Sequence, residues 1–558
     1  MRPAVPSLLV LATACTTHPA PATTPPQPAD PLAGALATIR AGDLVAHVRT
    51  LASDSFEGRF PGTAGEAKTV AYISAQFARL GLAPAIEGSY LQPVPLLAAT
   101  VDPDSSLTLR AGGKALPLRW GPDVLMASPV GAPQVDLRQL DAVFIGHGIV
   151  APEHGWDDYK GLDVTGKLLI TIADEPRQGD DPAFFAGKAL SVHGTRAHKE
   201  ELAARRGAAA LLEIRPDDHG GVAWDTLAIG ARAPKYLLAA LGTPRTAVGG
   251  IVREARVREL LALSPGGHDL ERLRAAAARP DFSPVPLGLT ADVHLTTASQ
   301  PVTSHNVVGL LPGRTRPHEY VLYTAHWDHV GVRPSLPGDN IFNGAVDNAT
   351  GTAALLELAE AFIALPARPE RTVVFIATTA EEQGLLGARH YAEHPLLPLR
   401  DTVGVINMDA LFPFGATRGM TVVGLGSSEL EPLMASAAGT VGRALYPDPN
   451  PELGAFFRSD HYPFAEKGVP AIFAVGGPAF DPAAGETVDL SRYEDYVTHR
   501  YHQPGDHYDP QTWDMAGIVQ DVVVYFRTGE GLANSSQFPN WRPEHPFRAR
   551  RDAMRRGG

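Results

Sequence analysis

The chain of 558 residues contains 61 acidic and 48 basic residues, has a formal net charge of −13, and is 44% hydrophobic. Its length exceeds that of one compact domain, and its composition excludes a largely disordered chain. The negative charge argues against a nucleic-acid-binding protein, because such proteins carry basic surfaces. We therefore expect a globular protein of several domains, compatible with a soluble enzyme.

The N-terminus has the features of an export signal. A positive start, Met1-Arg2, precedes the apolar run "LLVLATA" and Cys15, the single cysteine of the sequence. Such a run indicates a secretory signal in residues 1–15, and "ATAC" is similar to the bacterial lipobox, whose cysteine is lipidated. Residues 16–35 are rich in proline and typical of an extended tether. We expect export, either as a lipoprotein of the periplasm or outer membrane, with the lipid on Cys15 as its only membrane contact, or as a secreted protein.

Residues 36–100 and 101–290 differ in their patterns. The first segment has a helical repeat that Gly81 ends. The apolar residues of this repeat are Val70, Ile73, Phe77 and Leu80. The second segment alternates short strands with loops, and we interpret it as a separate β-rich α/β module inserted into the chain.

Residues 291–535 alternate apolar strands with helices, and residues 536–558 form a C-terminal tail. Helical spacing covers residues 352–365, and the predicted strands are 319–325, 371–377, 402–408 and 470–475. Continuously apolar strands separated by helices indicate a buried sheet. The fold class is therefore α/β, with a mixed, mostly parallel central sheet flanked by helices. Ligands bind such sheets at the carboxyl ends of the strands.

Carboxylates and imidazoles follow these strands and occupy the adjoining loops. The candidates are His326, Asp328, Asp347, Glu381, Glu382, Asp409 and His502. Oxygen and nitrogen donors of this kind are typical zinc ligands. Taken alone, Asp347 would be an ordinary helix cap and His502 an ordinary surface histidine. The whole set of potential ligands at strand ends and adjoining loops predicts a metal centre.

Two further points concern the histidines near these strands, inside and outside the candidate set. In extended chain, residues two apart face the same way, so the carboxylate of Asp328 is expected to accept the second ring N–H of His326. No spacing argument selects His329, His499 or His507, and we interpret these three as ordinary histidines.

Six segments resemble a known family when they are taken in order. They are "AHWDHVG", "NGAVDNATG", "EEQGLLGARHY", "NMDA", "RSDHYPFAEKGVPAIF" and "YHQPGD". Together they are similar to the di-zinc aminopeptidases of the aminopeptidase Y family, relatives of glutamate carboxypeptidase II and the transferrin receptor. The resemblance spans about residues 305–526, and the inserted module is similar to the protease-associated domain of that family.

The resemblance implies a zinc-exopeptidase fold and two Zn²⁺ ions per chain. Asp347 would bridge the ions, with His326 and Asp409 on one ion and Glu382 and His502 on the other. The remaining implied roles are general base for Glu381, stabilisation of the tetrahedral intermediate for Tyr501, and substrate contact for Arg458. Adjacent residues in extended chain point apart, so Glu381 and Glu382 can serve different purposes.

The expected reaction is hydrolysis of the N-terminal peptide bond of peptides with a free N-terminus. Three alternatives stay open on the same fold. They are a carboxypeptidase or other metallohydrolase, a glutaminyl cyclase with one zinc, and a catalytically inactive receptor-like binding protein. The full set of ligand types favours the aminopeptidase.

Overall fold

The structure, a computed structural model, describes residues 30–177, 181, 184–217, 222–240, 242–477 and 490–557. The predicted signal sequence, Cys15 and most of the proline-rich linker lie outside the described residues. In the described part of the chain, none of the helices combines the length and the apolar composition needed to cross a bilayer.

A mixed sheet with a parallel centre, here called the main sheet, forms the larger body. In spatial order its strands are Ala444–Pro447, Gly419–Val423, Ala471–Gly476, Thr402–Asn407, Arg316–His326, Arg371–Thr378, the second half of Val285–Leu311, Leu91–Val101 and Lys235–Leu238, with the short Ala83–Pro84 also against Val285–Leu311. The parallel register pairs His326 with Thr378, and Thr324 with Asn407. The carboxyl ends of three neighbouring strands therefore meet at one edge, as predicted.

Helices cover both faces of the main sheet. Val321 and Tyr323 pack into one hydrophobic core, whereas Leu322 between them packs into another. One core is covered by the helices Ala33–Leu36, Ala41–Leu51, Ala64–Leu80, Thr350–Ile363, Glu431–Gly439 and Ala516–Asn534, and the other by Leu386–Glu393, His461–Glu466 and Arg548–Arg556. Burial on both faces explains the continuous apolar runs of these strands.

The helix predicted in the first segment is confirmed. It runs from Ala64 to Leu80, and Gly81 ends it in the left-handed conformation at φ +74°. Ile73 and Phe77 of its repeat are fully buried in the core of the main body. Glycine is favoured at this position because it adopts positive φ without steric cost.

The inserted module has its own sheet and its own core. Its strands are Ser106–Ala111, Lys114–Arg119, Val124–Ala127, Gln134–Phe144, Leu168–Ile172, Ala210–Arg215, Val248–Arg253 and the first half of Val285–Leu311, with the two-residue pair Val150–Ala151 and Trp156–Asp157 beside them. Its helices are Arg196–Arg205, Trp224–Gly230, Glu254–Leu263 and Leu270–Ala277.

The border between the two bodies runs through one continuous strand. In Val285–Leu311, residues up to Thr296 pair within the module, and residues from Thr297 pair with Leu91–Val101 of the main sheet. The predicted division at 290/291 thus falls inside a strand. A strand shared by two sheets carries no turn or composition change that would mark the border in the sequence.

One segment of the module returns to the main sheet. The strand Lys235–Leu238 pairs antiparallel with Leu91–Val101, with Lys235 opposite Ala99. The buried Tyr236 contacts the ring of Phe60 and donates its hydroxyl proton to the carbonyl of Pro61, with the oxygens 3.0 Å apart. The module is therefore attached to the main body beside the edge where the predicted ligands meet.

Candidate metal centre

The predicted ligands reach the edge of the main sheet from one strand end and four loops. His326 is the last residue of its strand, and the loops that follow the two neighbouring parallel strands carry Glu381 with Glu382, and Asp409. A third loop, residues 343–349, precedes the helix Thr350–Ile363 and carries Asp347, and a fourth follows the helix Ser491–His499 and carries His502.

The side chains of these loops form two clusters of metal-binding groups. The first cluster comprises His326, Glu381 and Asp409, and the second comprises His329, Asp347, Glu382 and His502. Within each cluster the potential ligand atoms lie within 4.8 Å of one another. All five predicted ligands and the predicted base belong to one of these clusters.

Asp347 faces both clusters. Its Oδ1 lies 3.3 Å from Nε2 of His326 in the first cluster, and its Oδ2 lies 3.0 Å from Nε2 of His502 in the second. A carboxylate with one oxygen toward each cluster has the geometry of a bridging ligand. The loop is held in place by Asp506, whose carboxylate accepts the main-chain N–H groups of Val346 and Asp347.

The adjacent Glu381 and Glu382 occupy different environments, one in each cluster. Burial raises the pKa of Glu381 well above its usual range, and the carboxylate of Asp409 adds to the effect. Burial also opposes ionisation of Glu382, yet the imidazoles of His502 and His329 lower its pKa to about 2. Environments that separate the pKa values of two carboxyl groups suit them to different roles.

Asp328 positions the glutamate pair. Its buried carboxylate accepts the main-chain N–H of Glu381 at 3.0 Å and that of Glu382 at 3.4 Å. Nδ1 of His326 lies 3.2 Å from the main-chain oxygen of Asp328 and 3.8 Å from its Oδ1. The prediction that the Asp328 carboxylate accepts the second ring N–H of His326 is therefore wrong. The nearer partner of Nδ1 is the main-chain carbonyl of Asp328, because the carboxylate accepts the main-chain N–H groups of Glu381 and Glu382.

His329 is a member of the second cluster that the sequence pattern did not select. It is fully buried, and its Nδ1 lies 2.6 Å from Oε1 of Glu382. The strand ends at His326, so the alternation of extended chain no longer applies three residues later. The loop before Asp347 packs closely on this ring, since a Cβ at Gly344 would lie 2.4 Å from Cγ of His329.

We expect His329→Ala to weaken metal binding in the second cluster by roughly 10–100-fold, the usual cost of losing a group that orients a ligand. Without the imidazole, Glu382 loses the hydrogen bond that fixes its carboxylate. Zinc titration monitored by a competing chelator measures the effect. His329→Asn, whose amide can replace Nδ1, serves as the matched control and should recover most of the affinity; equal losses in both variants would contradict this role.

Arg59 connects the first segment of the chain to the centre. Its buried guanidinium donates hydrogen bonds to the carbonyls of Leu51, Trp327, Asn343 and Gly344. These contacts fix both the His326 loop and the loop before Asp347. No local pattern could reveal this residue, because it acts across 268 positions of sequence.

The charges of the two clusters favour a bound cation. Burial opposes protonation of His502, yet Glu382 and Asp347 raise its pKa to about 10. The neighbouring acids likewise hold the pKa of the buried His326 well above its usual range. Carboxylates that favour a positively charged imidazole also favour a metal ion, which would supply the positive charge itself and bind the neutral rings. Their nitrogen and oxygen donors fit zinc, which takes three or four such ligands.

Two further predicted residues are exposed on the side of His502 and Asp409. The ring of Tyr501 stacks on His502 with 3.9 Å between ring centroids, and 36% of the tyrosine is exposed. Arg458 is exposed and interacts electrostatically with Tyr501. Ser459, next to it, donates a hydrogen bond to Oδ2 of Asp409 at 2.5 Å and so orients that carboxylate.

Residues 306–527 match the model of Peptidase family M28. This part of the chain is a Peptidase M28 domain. The matched segment contains both clusters of the metal centre, whereas Arg59 and the inserted module lie before it. The module is thus joined to the M28 domain through the shared strand Val285–Leu311.

Curated relatives are similar to parts of this chain. Aminopeptidase NAALADL1 of Mus musculus is 34% identical over 138 residues, which cover 23% of this chain and 17% of the mouse protein. Aminopeptidase YwaD of Bacillus subtilis (strain 168) is 38% identical over 93 residues, 16% of this chain and 18% of that protein. The chain therefore spans less than a fifth of the length of these relatives.

A solved structure resembles the chain over most of its length. The aminopeptidase from Aneurinibacillus sp. strain AM-1 superposes with a TM-score of 0.50 and 18% sequence identity. The superposition covers 91% of this chain and 97% of that one. At this identity the likeness concerns the fold, and it agrees with the α/β architecture described above.

Proposed function

We propose that this protein is a metal-dependent aminopeptidase that uses two zinc ions. The observation that carries the proposal is the placement of Asp347, with one carboxylate oxygen toward each donor cluster. The aminopeptidase names of the mouse and Bacillus subtilis relatives support the reaction type.

The proposed ligand sets follow the two clusters. His326, Asp409 and Asp347 would hold one ion, and Glu382, His502 and Asp347 the other. When bound, zinc ions in such a pair supply Lewis-acid polarisation of the scissile carbonyl and a nucleophile at neutral pH. His329 and Ser459 would keep Glu382 and Asp409 oriented through the hydrogen bonds described above.

Glu381 is the proposed general base. The residue as a whole is partly accessible to solvent, and the Asp328 carboxylate fixes its main-chain N–H. It would take a proton from the attacking water and deliver it to the leaving amine. The hydroxyl of Tyr501, whose ring stacks on His502, would donate a hydrogen bond to the oxygen of the tetrahedral intermediate, and Arg458 would contact substrate beside it.

The acidic character of the centre supports exopeptidase specificity. Asp347, Glu381, Glu382 and Asp409 converge on a small volume. A substrate with a free α-amino group brings a positive charge to this volume, whereas a blocked N-terminus does not. We therefore propose peptides with a free N-terminus as substrates.

A panel of N-terminally blocked and unblocked substrates tests the reaction. We expect the zinc-loaded protein to hydrolyse leucine p-nitroanilide and to lose at least about 100-fold in kcat/KM on the N-acetylated compound, since the charge on the amine is lost. Chelation should abolish the activity and zinc restore it. Similar rates on blocked and unblocked anilides would indicate an endopeptidase or esterase, and hydrolysis of an N-acetylated dipeptide with a free carboxylate would indicate a carboxypeptidase.

We also propose that the protein is exported and that the inserted module corresponds to a protease-associated domain. The apolar run before Cys15 supports export, with lipidation of that cysteine as the proposed anchor. The separate core of the module and its attachment beside the metal centre support the domain assignment.

A further inference from the structure

A series of buried hydrogen bonds leads from the main sheet to Asp409 of the first cluster. The hydroxyl of Thr324 donates to Oδ1 of Asn407 at 2.7 Å, and Nδ2 of Asn407 lies 2.7 Å from Oγ of Ser459. The Ser459 hydroxyl in turn donates to Oδ2 of Asp409 at 2.5 Å. Thr324, Asn407 and Ser459, here called the buried relay, are all buried. The relay thus connects the interior of the sheet with a proposed metal ligand.

The register of two neighbouring strands builds the buried relay. Thr324 lies opposite Asn407 in the parallel pair of Arg316–His326 and Thr402–Asn407. Two residues further along each segment, Nε2 of His326 lies 3.1 Å from Oδ1 of Asp409. The polar pair Thr324–Asn407 therefore precedes the pair His326–Asp409 along the same two segments. Ser459 links the two pairs.

The direction of these hydrogen bonds is set at the metal centre. An ionised carboxylate only accepts hydrogen bonds, so Ser459 gives its one proton to Asp409. The Ser459 oxygen then accepts a proton from Asn407, which must present its amide nitrogen. This orientation leaves Oδ1 of Asn407 for the hydroxyl proton of Thr324. An asparagine suits this position because its side chain carries one donor group and one acceptor.

Packing of the sheet alone does not require polar residues here. Two residues earlier on the same strands, Leu322 and Val405 pack in an apolar core. A buried polar group costs free energy unless it is hydrogen-bonded, so an apolar pair would suit the sheet at least as well as Thr324 and Asn407. Because the buried relay ends on Asp409, we attribute its polar residues to the metal centre.

We propose that Asn407 is a positioning residue that aims the Ser459 hydroxyl at Asp409 and keeps this carboxylate a one-oxygen ligand. The inference rests on the proposed two-zinc function. Oδ1 of Asp409 faces His326, whereas Oδ2 is held by the hydrogen bond from Ser459. A catalytic zinc site has three protein ligands and one open position. A carboxylate that turned both oxygens to the metal would fill the open position, and the buried relay prevents this turn.

Cobalt(II), bound in place of zinc to the full-length protein, tests the proposal, because its visible absorption weakens as the number of its ligands increases. We expect Asn407→Asp to keep the bound metal and to weaken this absorption. In the zinc-loaded protein it should lower kcat by roughly 10–100-fold, the usual effect of changing an outer-shell group. The new carboxylate still accepts from Thr324, but its second oxygen competes with Asp409 for the Ser459 proton. Ser459→Ala, which removes this proton, should change the absorption and kcat in the same direction.

The double variant distinguishes this role from a purely structural one. Asn407→Asp and Ser459→Ala act on the same hydrogen bond to Asp409. In the presence of Ser459→Ala, the substitution at residue 407 should therefore lower kcat by less than about twofold, whereas independent effects would multiply. Ser459→Thr keeps the hydroxyl and should recover most of the absorption and of kcat.

Thr402→Val is the matched control, because Thr402 is a buried threonine at the other end of the strand Thr402–Asn407. It should leave the cobalt spectrum and kcat unchanged. A wild-type spectrum in both Asn407→Asp and Ser459→Ala, multiplied effects in the double variant, or loss of bound metal would overturn the proposal.

The same samples separate this proposal from the proposed function. A wild-type protein that binds cobalt but does not hydrolyse leucine p-nitroanilide would overturn the aminopeptidase, while the spectra of the variants would still decide the role of Asn407. A wild-type protein that binds no cobalt would overturn the metal centre, and the role of Asn407 with it.

Discussion

Glu381→Gln is expected to retain its bound zinc and to lose about 10²–10⁴-fold in kcat, the usual contribution of a general base. The amide has the size of the carboxylate but accepts no proton at neutral pH. The proposed ligands of both ions remain, because Asp347, Glu382 and Asp409 keep their carboxylates. The main-chain N–H of residue 381 also keeps its hydrogen bond to Asp328, so the loop should hold its conformation.

Zinc content and kcat, measured on the same sample, check this prediction. Glu494→Gln, on an exposed position of the helix Ser491–His499, serves as the control for loss of one carboxylate and should behave as the wild type. Loss of zinc together with activity in Glu381→Gln would show that Glu381 is a metal ligand and not the base. Its position in the first cluster is compatible with either role. Wild-type turnover would rule out both roles.

Asp347→Asn is expected to weaken both zinc sites at once. The carboxylate oxygens face His326 and His502 separately, and the amide nitrogen of asparagine cannot replace the oxygen on one side. The substitution also removes one negative charge from between two dications. We expect an affinity loss at both sites that exceeds the roughly 10–100-fold cost of losing an outer-shell group.

Isothermal titration of the metal-free protein with zinc measures both affinities. The loop should keep its position, because Asp506 holds it through main-chain N–H groups that the substitution leaves unchanged. Asp339→Asn, at an exposed position shortly before the loop of residues 343–349, is the control and should bind zinc as the wild type does. Two retained zinc equivalents with unchanged affinity in Asp347→Asn would contradict a bridging role.

The sequence predicts the centre of the fold well because one physical signal dominates there. The central strands are buried on both faces, so their apolar runs are continuous and end where polar side chains begin. Parallel pairing then brings those ends to one edge, which unites His326, the glutamate pair and Asp409. Glu381 and Glu382 do lie in different clusters. The predicted reason is wrong, however, because the pair lies in a bend and turn after the left-handed Ala380 and not in extended chain.

The residues that escape prediction depend on tertiary structure. His329 enters the second cluster because the chain turns after the strand, and Arg59 acts on loops far away in sequence. The strand with Lys235 has only four residues, too few for a recognisable period, yet it joins the module to the main sheet. The border between the two bodies cannot be recognised in the sequence, because it lies inside the continuous strand Val285–Leu311.

Anomalous scattering at the zinc absorption edge, recorded from crystals of the zinc-loaded protein, tests the central claim most directly. Our account expects two peaks per chain, about 3.5–4 Å apart as in other two-metal sites. One should contact His326 and Asp409, the other Glu382 and His502, and both should contact Asp347. A single peak, or two peaks that do not share Asp347, would contradict the two-zinc centre proposed for this M28 domain.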